Sequence, residues 1–276
     1  MNPEEQRTSE VSIDVCTTLR EFRECVNLQR TIWYDPDEDL IPSTLFVVAN
    51  KIGGQVLLAH DGAKAVGFAL AFPAFRDELR YLHSHIMGVA PEYQNRGLGR
   101  QLKLMQRELA LGMRIPLMEW TFDPLAVRNA YFNIVRLGAV IRRFHSNLYG
   151  VTASPLHGGL PTDRLVAEWW ISSARVDSVL AGRAPIVAPD AVQVVVPAEM
   201  EEWKISGSPH AVEVQSRLKM EFQERFAQGF AVTGFRMEGR NGIYLLEPQE
   251  NQTAVSVRPV SACSAKFSTS SRLVQK

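Results

Sequence analysis

The residues with the clearest chemistry lie between His85 and Gln101. An apolar run ends at Val89-Ala90-Pro91, and Gln94-x-x-Gly97-x-Gly99 then opens a stretch in which Leu98, Leu102, Met105, Leu109 and Met113 recur every three to four positions. That is the period of a helix with one buried stripe. The first turn of a helix has N–H groups without partners and the positive end of the macrodipole. Glycines at 97 and 99 let a pyrophosphate approach that backbone, and Arg96 and Arg100 add positive charge on either side. The alternative phosphate loops, GxxxxGK(S/T) and GxGxxG, are not matched.

The full run V-x-P-x-x-Q-x-x-G-x-G, placed after a strand and before a helix, resembles the GNAT superfamily of N-acetyltransferases, whose Q/R-x-x-G-x-G/A motif binds the pyrophosphate of acetyl-CoA. The order of elements from Val11 to Ile171 resembles that family's core as well. The resemblance implies that the strand over Leu79 to Ala90 splays from the strand over Leu117 to Phe122, with the pantetheine arm in the gap. It implies CoA contacts at Val89, Gln94, Arg96, Gly97, Gly99 and Arg100, mostly through main chain. Asn129 matches a polar residue that faces the pantetheine in the family, at a shorter spacing to Gly138 than usual.

Transfer of an acyl group from a thioester to an amine needs a neutral amine, donors for the tetrahedral oxyanion, and a proton for the departing thiolate. Glu119 lies where the family often carries a catalytic glutamate, so the resemblance makes it the leading base; a carboxylate satisfied by a neighbouring arginine is the competing reading. His83 and His85 are two apart on one strand and share a face. They suit a water relay for the amine proton, with His85 as an alternative base, or plain packed histidines. No third ligand for an H-x-H metal site is evident and the family needs none, so no metal is expected. The tyrosine that the family often places four residues before the helix-ending glycine is Ile134 here. The proton donor therefore stays open between Tyr149, Tyr131 and water. Cys16 and Cys25 fall in the first strand and helix, away from the thioester in this topology, which favours direct attack over a covalent intermediate.

On the acceptor side, Trp33 and Tyr34 lead into the acidic loop YDPDEDLIP, which either draws in an amine or is simply solvated. Arg164 in the Pro161-Thr162-Asp163-Arg164 loop, or the pair Arg142-Arg143, would suit a carboxylate on the acceptor or acyl group through paired N–H donors.

These groups require a scaffold, and the sequence supplies one. Val11 to Val15 alternates like a short strand, and Thr18 with Glu21 forms a capping box before a helix carrying Leu19, Phe22, Val26 and Trp33. Gln55 to His60, Ala65 to Phe75 and Leu79 to Ala90 read as an antiparallel meander. After the helix from Gly97 to Met113 come a strand over Pro116 to Phe122, a helix opened by Asp123-Pro124 and ended near Gly138, and strands over Ala139 to Tyr149 and Leu165 to Ile171. Beyond them, Val192 to Val196 reads as a strand, Ser208-Pro209 caps a helix, and Phe230 to Arg236 with Ile243 to Leu246 reads as a hairpin. Trp169-Trp170 sends one indole to each face, one to the core and one toward the C-terminal region. The expected fold is a mixed α/β (α+β) sheet: a lead-in over 1–10, a GNAT-like core with splayed central strands over 11–171, a C-terminal α+β extension over 172–249, and a disordered tail over 250–276.

Composition narrows the partners. The 276 residues carry 30 Lys plus Arg and 30 Asp plus Glu, and this zero net charge argues against nucleic acid or an anionic membrane held by bulk charge. No apolar run reaches the roughly 18 residues of a membrane helix. The polar, acidic start is unlike an export signal, and three scattered cysteines support no disulfide framework, so the expected compartment is the cytoplasm. The expected activity is N-acylation of a small-molecule amine by acetyl-CoA or another acyl-CoA. The run FDPL...RNAYFNIVRLGA with the PTDR loop resembles a bacterial GNAT subgroup, which points to an amino-acid acceptor and to succinyl-CoA as an alternative donor. Two other classes stay open: a non-catalytic CoA-binding regulatory module, and a protein N-acetyltransferase. The C-terminal region is open to three roles, a lid on the acceptor site, a homodimer interface, or a cover for a sheet edge.

Overall fold

The computed structural model describes residues 11–33, 40–150 and 158–249. The chain runs β1 (Ser12–Val15), α1 (Leu19–Trp33), α2 (Ser43–Lys51), β2 (Gln55–Asp61), β3 (Lys64–Arg76), β4 (Leu79–Val89), α3 (Leu98–Gly112), β5 (Leu117–Phe122), α4 (Val127–Tyr131), β6 (Val140–His145) and β7 (Arg164–Trp170). It continues through α5 (Ala174–Leu180), β8 (Val192–Val196), α6 (Met200–Ser206), α7 (Pro209–Ala227), β9 (Phe230–Glu238) and β10 (Asn241–Pro248). All ten strands join one mixed sheet in the order β1-β2-β3-β4-β5-β7-β6-β9-β10-β8.

The expected capping box forms: the Thr17 and Thr18 amides each donate to Glu21 Oε2 at 2.8 Å and fix the start of α1. Three expectations are corrected. α2 is an additional helix within Ser43–Lys51, where β-branched Val47 and Val48 hide a helical pattern. Asp123 caps a turn rather than the helix, accepting from the Leu125 amide at 2.8 Å, so α4 starts later, at Val127. It ends in a π-helical turn over Phe132–Arg136. β6 stops at His145 rather than reaching Tyr149, because the following residues bond to the 161–163 loop: the Leu148 amide donates to the Thr162 carbonyl and the Tyr149 amide to Thr162 Oγ1.

The sheet separates two layers. Phe68, Leu70 and Ile86 join Phe22, Cys25 and Phe46 on the side covered by α1 and α2. Ala69, Met87 and Val89 pack with Leu98 and Leu102 of α3 on the other side. A third core, around Met118, Trp120, Trp169, Val194, Phe222 and Tyr244, runs from the α3 side of β5 into the C-terminal strands. Trp169 is fully buried there. No helix among the described residues is long and apolar enough to cross a membrane.

Candidate active site

β4 and β5 are parallel neighbours for only three residue pairs, Tyr81 with Leu117, Leu82 with Met118 and His83 with Glu119. Beyond these β4 stays bonded to β3 as far as Val89 and β5 to β7 as far as Phe122. The two facing edges therefore part from Ser84 and Trp120 onward, leaving a wedge-shaped gap between open backbone edges. At its wide end β4 leads into a tight loop, in which the Gln94 side-chain amide donates to the Val89 carbonyl at 3.0 Å.

The loop ends on Gly97, whose φ of +86° lies in the left-handed region that glycine tolerates. Asn95, at φ +60°, is also left-handed, and such residues build the backbone concavities that receive anions. A Cβ on Gly97 would meet nothing within 4 Å, so open space lies over the N-terminus of α3. Gly99 turns toward β4, where a Cβ would make ordinary contacts with Met87 and Val89. Arg96 is exposed over the Tyr93 ring, while Arg100 donates to the Leu180 carbonyl at 3.2 Å and ties α3 to α5. Asn129 is exposed on α4. One turn on, Asn133 is buried and accepts from Trp120 Nε1.

Two β-bulges supply the polar side chains on the α1 side of the gap. In β4, Ala71 pairs with Ser84 and Leu70 with Ile86, which makes His85 the extra residue. His85 therefore joins His83 on one face, ring centroids 5.9 Å apart, with Phe72 5.6 Å from His85. In β6, Ile141 pairs with Ala167 and Arg143 with Val166, which makes Arg142 the extra residue. Both arginines then reach Glu168, Arg142 at 2.8 Å and Arg143 at 3.1 Å. Glu119 lies opposite Glu168 and is itself held by Arg143 and by both terminal nitrogens of Arg76, at 2.6 and 2.9 Å.

The electrostatics follow from that wiring. Burial pushes the Glu119 carboxyl up, but the two guanidinium groups outweigh it and hold it below the usual carboxylate value. Burial lowers both histidines, and for His83 the neighbouring His85 and the charge of Lys103 lower it further. Both imidazoles are thus neutral at pH 7, while Glu119 is an ionised carboxylate committed to two arginines. Three arginines against two glutamates leave this floor one positive charge.

The remaining candidates sit around that floor. Trp33 packs edge-on against Phe68 at 5.9 Å and presses on β4 at Gly88, so it stands beside the gap. Tyr149 bonds through its hydroxyl to Thr121 Oγ1 at 3.1 Å, on the same face of β5 as Glu119. Arg164 is buried behind it, 5.4 Å from the Tyr149 ring, and bonds to its own loop at the Asp163 carbonyl. Tyr34 and most of the acidic loop lie outside the described residues. Cys16 and Cys25 are buried in the α1 layer, where the Cys16 thiol and burial push Cys25 far up.

One buried group escaped the sequence reading. Lys103 is 3% exposed, donates from Nζ to Ser84 Oγ at 2.7 Å, and lies 3.9 Å from the centre of the Trp120 ring. No local signal in the sequence marks it: Lys103 and Gln106 are polar residues flanking the apolar stripe of α3, and only the structure shows both buried while Met113 is exposed.

Residues 20–124 match the acetyltransferase (GNAT) family. No curated protein matches the sequence. Among solved structures, a ribosomal-protein-alanine N-acetyltransferase from Escherichia coli is 17% identical with a TM-score of 0.47, covering 60% of this chain and 96% of that one. A GNAT family acetyltransferase from Elizabethkingia anophelis with acetyl-CoA bound is 15% identical with a TM-score of 0.44, covering 58% and 97%. An Arabidopsis thaliana protein in complex with a CoA–acetyl–peptide bisubstrate analogue is 14% identical with a TM-score of 0.45, covering 57% and 97%. The residues that match the acetyltransferase (GNAT) family, 20–124, include the splayed strands and the glycine-ended loop.

Proposed function

We propose that the protein is an acyl-CoA-dependent N-acyltransferase acting on a small amine that carries an anionic group, an amino acid being the simplest such acceptor. The observation that carries this reading is the gap between β4 and β5, open along two backbone edges and ending at the Gly97 turn. A pantetheine arm bonds to those edges as a strand would, and the pyrophosphate meets the Leu98 end of α3 beside Arg96. The acceptor lies on the histidine face. His85, neutral at pH 7 and open to the cleft, accepts the amine proton as the nitrogen attacks the thioester carbonyl, with His83 behind it. Glu119 holds Arg76 and Arg143 in place, and the surplus positive charge of that floor suits a carboxylate on the acceptor. Tyr149 and Thr121 border the same space.

The test is release of free thiol from acetyl-CoA and succinyl-CoA with a panel of amino acids, polyamines and aminoglycosides. Turnover restricted to carboxylate-bearing amines is expected. Gly97→Glu combines a forbidden φ with a negative charge at the phosphate site and abolishes CoA binding in a calorimetric titration. Normal CoA binding by that variant rejects the site, and tight CoA binding with no turnover across the panel favours a non-catalytic CoA-binding module.

A further inference from the structure

α3 carries a charged group that the reaction above does not use. Ser84 and Trp120 are the first residues of β4 and β5 beyond the last register pair, His83 with Glu119. Lys103 Nζ contacts both, bonding to the Ser84 hydroxyl and lying over the Trp120 ring. The ammonium therefore closes the narrow end of the gap from the α3 side, opposite the histidines. A buried ammonium needs compensation, and here it finds one hydroxyl, which in turn donates to Gln106 Oε1 at 3.1 Å, and one aromatic face. Among the described residues it has no carboxylate partner. Across the sheet His83 feels its charge, and Glu119 lies in register with His83. Burial lowers Lys103 from the ordinary 10.5 to about 7.

We propose that Lys103 is the proton donor to the departing CoA thiolate, acting from the α3 face of the gap while the amine attacks from the histidine face. The inference rests on the pantetheine arm lying between β4 and β5. Val89 and Ser84 pair with Gly67 and Ala71, so with the bulge at His85 they are four steps of extended strand apart, about 13 Å, a span that an extended pantetheine covers from phosphates held at Gly97. Its sulfur then reaches the narrow end. The new bond forms between the amine nitrogen and the carbonyl carbon; collapse of the tetrahedral intermediate breaks the C–S bond, and its electron pair leaves on sulfur. Lys103 passes one Nζ proton to that sulfur and becomes neutral, and the amine proton departs through His85. A donor that titrates near the working pH both gives and regains its proton readily. The tyrosines are elsewhere, Tyr149 bonded to Thr121 on the opposite face and Tyr131 exposed on α4.

The experiment needs no acceptor. CoA and desulfo-CoA, which lacks the sulfur, are titrated calorimetrically at a series of pH values from neutral upward into wild type, Lys103→Met and Lys103→Gln, and the ultraviolet band of the thiolate is followed against pH in each CoA complex. Wild type is expected to titrate the bound thiol about one pH unit below free CoA, so that a preference for CoA over desulfo-CoA emerges as the pH passes that value and grows toward about tenfold above the free thiol's own titration. Both variants should bind desulfo-CoA as wild type does, which reports an intact site, but lose the preference and return the thiol to its free-solution titration. A thiolate band and a CoA preference unchanged in both variants overturn the role of Lys103. Failure of wild type to bind either compound removes the CoA site itself, and the inference with it.

Discussion

Lys103 and Glu119 are both buried ionisable residues, and their surroundings set them apart. Glu119 is ringed by guanidinium groups and stays charged; Lys103 has a hydroxyl and an indole and stays near its titration point. The unfolded chain holds the Lys103 proton up to 10.5 and the folded chain only up to about 7, so between those values the unfolded state binds more protons and stability rises with pH. At pH 7 the burial costs roughly 3–5 kcal/mol. Lys103→Met is accordingly expected to be more stable than wild type by several kcal/mol in urea unfolding at neutral pH, with the difference shrinking as the pH approaches that of an ordinary lysine. A difference independent of pH would mean that Lys103 is charged in the folded protein. The strand–loop–helix turn before α3 was legible in the sequence because Gln94, Gly97 and Gly99 lie within six residues and local chemistry defines them. Glu119 was legible only as a position: the arginines that fix its protonation, Arg76 and Arg143, lie on other strands, and nothing local announces them.

At the scale of elements, α1 can reach the gap only because β4 has no side chain at Gly88. A Cβ there would come within 2.7 Å of Ile32, 2.8 Å of Trp33 and 3.0 Å of Phe68. Gly88→Ala should therefore push the end of α1 off the sheet and cost about 1–3 kcal/mol in urea unfolding. Because Trp33 borders the side of the gap proposed for the acceptor, the acceptor KM should rise while calorimetric CoA affinity holds; an unchanged KM would separate Trp33 from acceptor binding. The meander, α1, α3 and the C-terminal hairpin were readable from periodicity, since each presents a steady apolar face. The two bulges were not. Alternation assumes one residue per step, and His85 and Arg142 are the residues that break it, so their facing depends on register with β3 and β7.

Across the whole molecule, the C-terminal region shares a core with the strands and helices that precede it. Tyr244 donates to the Pro124 carbonyl at 2.8 Å, Lys204 pairs with Asp123 at 3.0 Å, and Arg175 reaches the carbonyls of both Gly138 and Thr233. β9 meets β6 in a single register pair, Ile141 with Val232, so these side chains carry most of the junction. The full chain should unfold in one calorimetric transition, and a chain cut after Ser172 should aggregate through its bared β6 edge and the exposed surfaces of Trp120 and Trp169. A soluble, folded fragment would contradict the shared core. The extra residue in β4 reaches furthest across the molecule. Before it, odd-numbered residues of the strand look toward α1; after it, even-numbered ones do. Deleting His85 would remove the second imidazole and leave every other residue on its present face, because Ser84 and Ile86 already pair with the adjacent residues Ala71 and Leu70. That single insertion sets two imidazoles side by side on one layer of the protein, while Met87 and Val89 keep their places against α3 on the other.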